Sequence, residues 1–244
     1  MKSKSFVTAP WFRFQSVFVL VVAGYLASPL QAAERHYLPK GKPDPISLLA
    51  PPPLPDSAEQ SADLASVAAV HKSASAEEIA AANSERKIYV FDFANVIGDF
   101  FQSNSLPQTA AFFQKLHEDN QSVVDYAKDH WKRPRPFVVE PSLASGELEN
   151  TFSYPSGHST KATVFAGVLA EIFPAKRERL FARAREIGWH RVQIARHYPT
   201  DIYAGRVLGQ AIFRDLKKNS AFKRDLAEVK KEIAAAKQTV TRRP

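Results

Sequence analysis

The chain has 244 residues, which is enough for one domain with a substantial core and short for two. Its apolar fraction of 45% and its charged fraction of 24% are those of a globular protein. The sequence contains no cysteine, which excludes a thiol nucleophile and a thiolate metal site. The formal net charge is +8, because 33 lysines and arginines face 25 acidic residues.

Residues 1–32 have the pattern of a secretory signal peptide. Three basic residues and no acidic one occur there, and the apolar run Val17–Ala27 precedes small residues suited to cleavage near Ala32 or Ala33. The alternative is a membrane anchor, but the apolar run is too short for a comfortable span. We therefore expect a periplasmic or secreted protein with no membrane span after removal of the signal.

Removal of the signal peptide also lowers the net charge. The 33 lysines and arginines become 30 against 25 acidic residues, so +8 becomes +5. Residues 216–244 hold nine basic and three acidic residues, which predicts a solvated basic C-terminal helix. Nucleic-acid binding is the weaker interpretation of this charge, and no nucleic acid is expected as a partner.

The mature sequence predicts an all-α helical bundle. Residues 33–55 are rich in proline, so we expect an extended N-terminal segment over the surface of the domain, or a plain linker, without regular helix. Residues 56–244 form a single domain with no internal repeat and no hairpin signal. Its predicted helices cover residues 56–73, 73–85, 86–101, 106–120, 121–132, 159–173, 174–197 and 199–218, followed by the basic C-terminal helix.

Residues 86–101 are the one ambiguous stretch, because their β-branched and aromatic side chains also suit a strand. No partner strand is found elsewhere in the sequence, so a helix is the preferred prediction.

The first of three charged segments of interest is KDHWKRPRPF. Lys128 and Arg135 are seven residues apart, which on a helix is about 700° and places both on one face. Pro134 and Pro136 end the helix, so Arg135 is expected at its tip. A solvated basic helix end is the alternative for this segment alone.

The second segment is SYPSGHST. Ser156 is a suitable N-cap for the apolar helix that follows, and Gly157 allows a ligand to approach the backbone closely. Free N–H groups at a helix start favour an anion. His158 lies in the first turn, where a cation is unfavourable, so a purely structural origin is less expected than a functional one. A neutral structural histidine is the alternative.

The third segment is GWHRVQIARHYPTD. Leu180, Ala184 and Ile187 mark the inward face of a helix, and Arg191 occupies the next position on that face, so it needs an anionic partner. His197 stands before the next helix, with Asp201 in the first turn of that helix. Asp201 suits two interpretations, a carboxylate at a helix N-terminus or a group that orients His197.

Together the three segments offer two helix N-termini, three long cations, two histidines and one carboxylate. This set suits a tetrahedral oxyanion such as phosphate, because arginine binds its oxygens bidentately and lysine adds a point charge. A metal site is less expected, since His158 and His197 have no dense cluster of carboxylates or histidines around them in the sequence.

In this order, the segments resemble the signature of the phosphatidic acid phosphatase type 2 superfamily, which includes the vanadium haloperoxidases. That signature reads Lys-x6-Arg-Pro, Pro-Ser-Gly-His and Ser-Arg-x5-His-x3-Asp. The chain is most similar to the exported, soluble bacterial class A non-specific acid phosphatases. Its block FSYPSGHS departs from their Gly-Ser-Tyr-Pro-Ser-Gly-His-Thr only at Phe152 and Ser159. The resemblance covers nearly all of the mature chain and is strongest over residues 126–212.

The resemblance implies a fold of the acid phosphatase / vanadium haloperoxidase type and a role for each motif residue. His197 would attack phosphorus, Asp201 would orient it, and His158 would donate a proton to the leaving group. The oxygens of the phosphoryl group would be bound by Lys128, Arg135, Ser156, Gly157 and Arg191. No metal or other cofactor is implied, and vanadate is expected to bind as an analogue of the transition state.

The expected substrates are small phosphomonoesters, and the sequence is compatible with a homo-oligomer. Three other functions are alternatives. A vanadium-dependent haloperoxidase would use the same residues, but such relatives are usually longer. A lipid phosphate phosphatase would normally span the membrane, and an inactive phosphate-binding protein would not need the complete residue set.

One position departs from the superfamily signature. His190 stands where the signature has the serine before the arginine of the third motif. The departure affects local hydrogen bonding and substrate preference rather than the reaction. We hypothesise that His190 perturbs the pH dependence, which a comparison of pH–rate profiles with the His190→Ser variant would test; unchanged profiles would refute it.

Overall fold

Ten α-helices and no β-strand make up residues 35–241, the part of the chain that this computed structural model describes. The predicted all-α class is confirmed, whereas the predicted signal peptide at residues 1–32 lies outside the described part. No helix within residues 35–241 is long and apolar enough to cross a membrane. The helices are α1 (Pro45–Leu48), α2 (Ala58–Ser73), α3 (Ala76–Ser84), α4 (Ala94–Ile97), α5 (Pro107–Trp131), α6 (Pro136–Val139), α7 (Gly157–Ile172), α8 (Arg177–Gln193), α9 (Pro199–Leu216) and α10 (Ser220–Thr241).

The central helix of the bundle is α7, as its nearly uniform apolar sequence predicts. It packs against α5, α8 and α9. Its approach to α9 is very close, because a Cβ atom at Gly205 would lie 2.7 Å from the carbonyl oxygen of Ser156, and one at Gly209 would lie 2.7 Å from that of Thr160. Only glycine at these two positions permits this packing.

Two apolar clusters hold the helices together. The larger one fills the space between α5, α7, α8, α9 and α10 and contains fully buried aromatic side chains such as Phe113, Phe165 and Phe222. The smaller one joins Val192, Tyr198 and Ile202 to α2 and α6. The smaller cluster therefore supports the connection between α8 and α9, which carries His197.

The proline-rich segment differs from the prediction, because one turn of helix, α1, forms within it. Pro45 occupies the first helical position, where its missing N–H is not needed, and the side chain of Asp44 caps the turn through Ile46 N. The segment is also anchored rather than merely laid over the surface. Tyr37 is buried, and its backbone N–H donates to Asp119 of α5 at 2.8 Å.

The prediction of one helix over residues 86–101 was wrong in length. A short 3₁₀ segment, Val90–Phe93, leads into the single turn of α4, which ends at Gly98. Gly98 has a φ angle of 125°, and a helix cannot continue through a residue in this conformation. Conversely, the two helices predicted over 106–132 are one continuous helix, α5, because nothing between its ends breaks the helical pattern.

Candidate active site

His197 lies in the connection between α8 and α9 and is almost fully buried. Its Nδ1 atom is 3.2 Å from Oδ2 of Asp201, which also accepts a hydrogen bond from the backbone of Tyr198 at 2.9 Å. Asp201 therefore has both of the arrangements considered from the sequence. Because a carboxylate only accepts hydrogen bonds, Nδ1 of His197 carries the proton and the lone pair is on Nε2.

The surroundings of His197 favour its neutral form. Burial lowers its pKa well below the ordinary value, and the positive charges of Arg135, Lys128 and Arg191 lower it further. Nε2 lies 3.4 Å from a guanidinium nitrogen of Arg135. The structure thus presents a neutral imidazole nitrogen beside a cluster of cations, which is the state a nucleophile requires.

Asp201 has two further partners that the sequence reasoning missed. Arg133 donates to Oδ1 of Asp201 at 2.6 Å and also to Asp63 of α2 at 2.7 Å, and Ser153 Oγ donates to Oδ2. Arg133 is only 4% exposed. Nothing in its spacing distinguished it from the other basic residues of KDHWKRPRPF, because its partner Asp63 is remote in sequence.

Lys128 and Arg135 both line the same cavity as His197, but not for the predicted reason. α5 ends at Trp131, and Lys132 adopts a left-handed conformation with φ of 48°, so Arg135 is not on the helix that carries Lys128. Arg135 is instead fixed by backbone carbonyl groups, donating to Thr151 at 2.7 Å and to Arg196 at 2.8 Å.

Lys128 donates to the carbonyl oxygen of Phe152. Burial lowers the pKa of Lys128 to about 7, and the charge of Arg135 acts in the same direction.

Arg191 continues the buried face of α8, as predicted, and is 1% exposed. Its anionic partner within the chain is Glu149, which the sequence did not single out. Arg196 also approaches Glu149, at 3.0 Å, and Arg135 lies 4.0 Å from it. Nε and one terminal nitrogen of Arg191 are buried without a hydrogen-bond partner, so this guanidinium group retains donors for an oxyanion.

The start of α7 has the predicted cap. Ser156 Oγ accepts from the backbone N–H of Ser159 at 3.3 Å, and Ser156 N donates to the carbonyl oxygen of Asp201 at 3.1 Å. Ser156 is fully buried, whereas Gly157 and His158 line the cavity. The close contact with α9 therefore fixes the beginning of α7 relative to Asp201.

The orientation of His158 is set by two backbone carbonyl groups. Its Nε2 atom lies 3.1 Å from the oxygen of Glu85 and 3.1 Å from that of Arg86. Carbonyl oxygens only accept, so Nε2 carries a proton and Nδ1 is the atom free to gain and lose one. Burial lowers the pKa of His158 well below its ordinary value, followed by the charges of Arg191 and Lys161.

One cavity of about 1030 Å³ joins these groups. Lys128, Arg135, Gly157, His158 and His197 line it, and Arg191 and Asp201 stand directly behind, through their contacts with Glu149 and His197. The cavity also extends along apolar walls that include Phe91, Phe113 and Phe165. It is larger than a phosphate ion requires, so it has room for the organic part of an ester.

Part of the chain matches a known protein family. The sequence profile of the PAP2 superfamily matches residues 116–218. These residues form a PAP2 superfamily domain. The PAP2 domain contains all three motif segments and runs from within α5 to just past the end of α9.

Two relatives extend the likeness. An acid phosphatase of Zymomonas mobilis is 26% identical over 236 residues, covering 90% of this chain and 89% of the relative. A non-specific acid phosphatase of Salmonella typhi is 34% identical over 147 residues. That alignment covers 58% of this chain and 59% of the relative, so the chain spans about three-fifths of the Salmonella protein.

A solved structure supports the fold. The crystal structure of a transmembrane PAP2 type phosphatidylglycerolphosphate phosphatase from Bacillus subtilis matches with a TM-score of 0.51 at 21% sequence identity. It covers 67% of this chain and 87% of the other. At this identity the match shows that the PAP2 domain has the same fold, and nothing about its substrate.

Proposed function

We propose that the protein is an exported acid phosphatase that hydrolyses phosphate monoesters through a phosphohistidine intermediate without a metal ion. The observation that carries the proposal is the neutral, buried His197, with Nδ1 held by Asp201 and Nε2 beside Arg135 in a cavity rich in cations. The names of the Zymomonas and Salmonella relatives support the same activity.

In the first half-reaction, Nε2 of His197 forms a bond to phosphorus as the bond between phosphorus and the ester oxygen breaks. Asp201 stabilises the imidazole ring as its positive charge develops. Nδ1 of protonated His158 gives its proton to the departing oxygen, so an alcohol leaves. Burial holds the pKa of His158 low, which explains why acidic conditions would favour this step.

In the second half-reaction, water attacks phosphorus and the bond from Nε2 of His197 to phosphorus breaks. Nδ1 of His158 accepts the proton from water, which restores its starting state. Lys128, Arg135 and Arg191 bind the phosphoryl oxygens, together with the N–H of Gly157, and neutralise charge in both transition states. Because these cations supply the neutralisation, the proposed reaction requires no metal ion.

The test uses the purified mature protein on p-nitrophenyl phosphate and other phosphomonoesters, with EDTA and vanadate as controls. We expect turnover that EDTA leaves unchanged and vanadate inhibits, and an acid-labile phosphoryl group on His197 after rapid quenching. His197→Ala should abolish both, while His130→Ala, at an exposed position of α5, should abolish neither. Normal turnover by His197→Ala would refute the assignment, and bromide oxidation with peroxide and vanadate would instead indicate a haloperoxidase.

Export rests on the sequence of residues 1–32. Expression of the full chain in a bacterium should give activity in the periplasmic or secreted fraction, and N-terminal sequencing of that material should begin near residue 33. Activity retained in the cytoplasm with an intact N-terminus would contradict export.

A further inference from the structure

A buried charged cluster connects α8 to the loop that holds His158. We call Glu85, Arg183 and His190 the Glu85 cluster. Glu85 follows α3 and is 6% exposed. Its carboxylate is bound on one oxygen by His190 Nδ1 at 2.6 Å and on the other by Arg183. Arg183 and His190 are seven residues apart on α8, so they project from the same face of that helix.

The charges of this cluster are compensated internally. Burial alone would raise the pKa of Glu85, but the hydrogen bond from His190 and the charge of Arg183 lower it below its ordinary value. The carboxylate is therefore ionised and held on both oxygens. A buried ion pair with this many partners fixes its backbone, because breaking it would leave an uncompensated charge.

The backbone of the same residue holds the proposed proton donor. The carbonyl oxygen of Glu85 lies 3.1 Å from Nε2 of His158, and that of Arg86 lies at the same distance. Arg183 also donates to the carbonyl oxygen of Asp92 at 3.2 Å, at the other end of this loop. The loop that fixes the His158 ring is thus attached to α8 at both ends.

We propose that Glu85 and His190 are positioning residues, whose hydrogen bond fixes the carbonyl groups that hold His158 in the tautomer needed for proton transfer at Nδ1. The proposal rests on the proposed function and assigns a role to the one position where the chain departs from the signature of its superfamily. His190 acts through Glu85, to which it is hydrogen-bonded, and it does not itself line the cavity.

The leaving group provides a specific test. An alkyl alcohol is a poor leaving group and needs the proton from His158, whereas p-nitrophenolate leaves with little help. The comparison uses kcat/KM, which reports the steps up to release of the alcohol, because the later attack of water also uses His158 and is common to both esters. General acid catalysis contributes about 10²–10⁴-fold, so mispositioning His158 should lower kcat/KM for glycerol 2-phosphate by roughly tenfold or more. The kcat/KM for p-nitrophenyl phosphate should change by less than about twofold, and the inhibition by vanadate should not change.

The variants are His190→Ser and Glu85→Gln, which break the pair from either side, with melting temperature as a measure of folding. His190→Gln keeps an N–H donor for Glu85 and should restore most of the alkyl-ester activity. Glu186→Gln is the matched control, because Glu186 contacts Arg183 at 3.0 Å and His190 at 3.8 Å but is largely exposed. It should leave the ratio of the two rates unchanged.

The outcomes separate the two proposals. Hydrolysis of neither ester by the unmodified protein would overturn the proposed function and the positioning role with it. An active parent whose His190→Ser and Glu85→Gln variants lose both activities in equal proportion would overturn only the positioning role and leave a structural one. If one of these two variants does not fold, the rate ratio of the other decides.

The pH–rate profile gives an independent readout. His158 is surrounded by Arg191, Lys161, His197 and the carbonyl groups of Glu85 and Arg86. Releasing the two carbonyl groups removes acceptors for the protonated ring of His158 and so lowers its pKa. The basic limb of kcat/KM for glycerol 2-phosphate, the step in which His158 acts as an acid, should therefore move to lower pH in His190→Ser. A basic limb at the same pH as in the parent would contradict the role.

Discussion

The carboxylate of Glu149 occupies the guanidinium groups that the proposed function assigns to phosphate. It pairs with Arg191 and lies 3.0 Å from Arg196 and 4.0 Å from Arg135. Its side chain is 24% exposed and belongs to the surface segment before α7, whereas Arg191 is 1% exposed. A phosphate ester that binds the unpaired donors of Arg191 must therefore share this guanidinium with the negative charge of Glu149 or displace it, and the variant Glu149→Gln should weaken that competition.

The expected magnitude follows from the charge that the substitution removes. The amide still accepts a hydrogen bond from the charged guanidinium of Arg191, so Glu149→Gln loses the attraction between opposite charges and keeps the contact. An ion pair with a partly exposed member contributes up to about 1 kcal/mol, which corresponds to roughly fivefold tighter binding of phosphate at most. The free protein should become less stable, because the buried Arg191 loses its compensating charge.

The assay measures the inhibition constants of inorganic phosphate and vanadate, and the melting temperature with and without phosphate. Glu149→Gln should have lower inhibition constants for both anions than the parent protein. Its melting temperature should be lower in the absence of anions, and the addition of phosphate should raise that temperature by more than it does for the parent. Glu147→Gln is the matched control, since Glu147 lies two residues away and pairs with the exposed Arg86. Equal or weaker anion binding by Glu149→Gln would refute the competition between its carboxylate and phosphate.

Two further predictions concern pH and packing. Because the pKa of Lys128 is lowered to about 7, its positive charge is present below that pH and lost above it. The affinity of the free enzyme for phosphate should therefore fall as the pH rises through 7, and Lys128→Arg should retain affinity to higher pH; parallel profiles would contradict this. Gly205→Ala should lower the free energy of unfolding by about 1–3 kcal/mol in a denaturant titration, because its Cβ would meet the Ser156 carbonyl at 2.7 Å. Gly167→Ala should lower the free energy of unfolding by less, because its Cβ would meet only the side chain of Phe213, which can move. Equal losses of stability in the two variants would argue against a rigid contact at Gly205.

The sequence was informative where local pattern determines structure. The buried face of α8 could be predicted through Leu180, Ala184 and Ile187 to Arg191, because helical spacing alone determines it. Ser156 could be predicted as a cap because the serine hydroxyl accepts a hydrogen bond from a free backbone N–H at a helix start. The three motif segments could be expected to meet, although Arg135 reaches the cavity from beyond the end of α5 and not along its face.

The remaining features depend on contacts between residues remote in sequence. Glu149 and Glu85 each pair with cations of α8 from segments that have no regular pattern of their own. Residues 90–97 form only short turns, since packing of aromatic side chains such as Phe93 overrides local helical preference. No periodicity in one sequence identifies such partners.

The bridge formed by Arg133 determines how much of the chain a working catalytic unit must contain. Asp201 shares this guanidinium with Asp63, which belongs to α2 and precedes the PAP2 segment at residues 116–218. A fragment cut at the boundaries of that segment would keep every motif residue, but Arg133 would lose its ion pair with Asp63. The smaller apolar cluster would also lose the side chains of α2 that cover it. A shortened version of the protein that is meant to keep this site must therefore include α2. The segment that matches the PAP2 family is shorter than the network of charges that holds Asp201 in place.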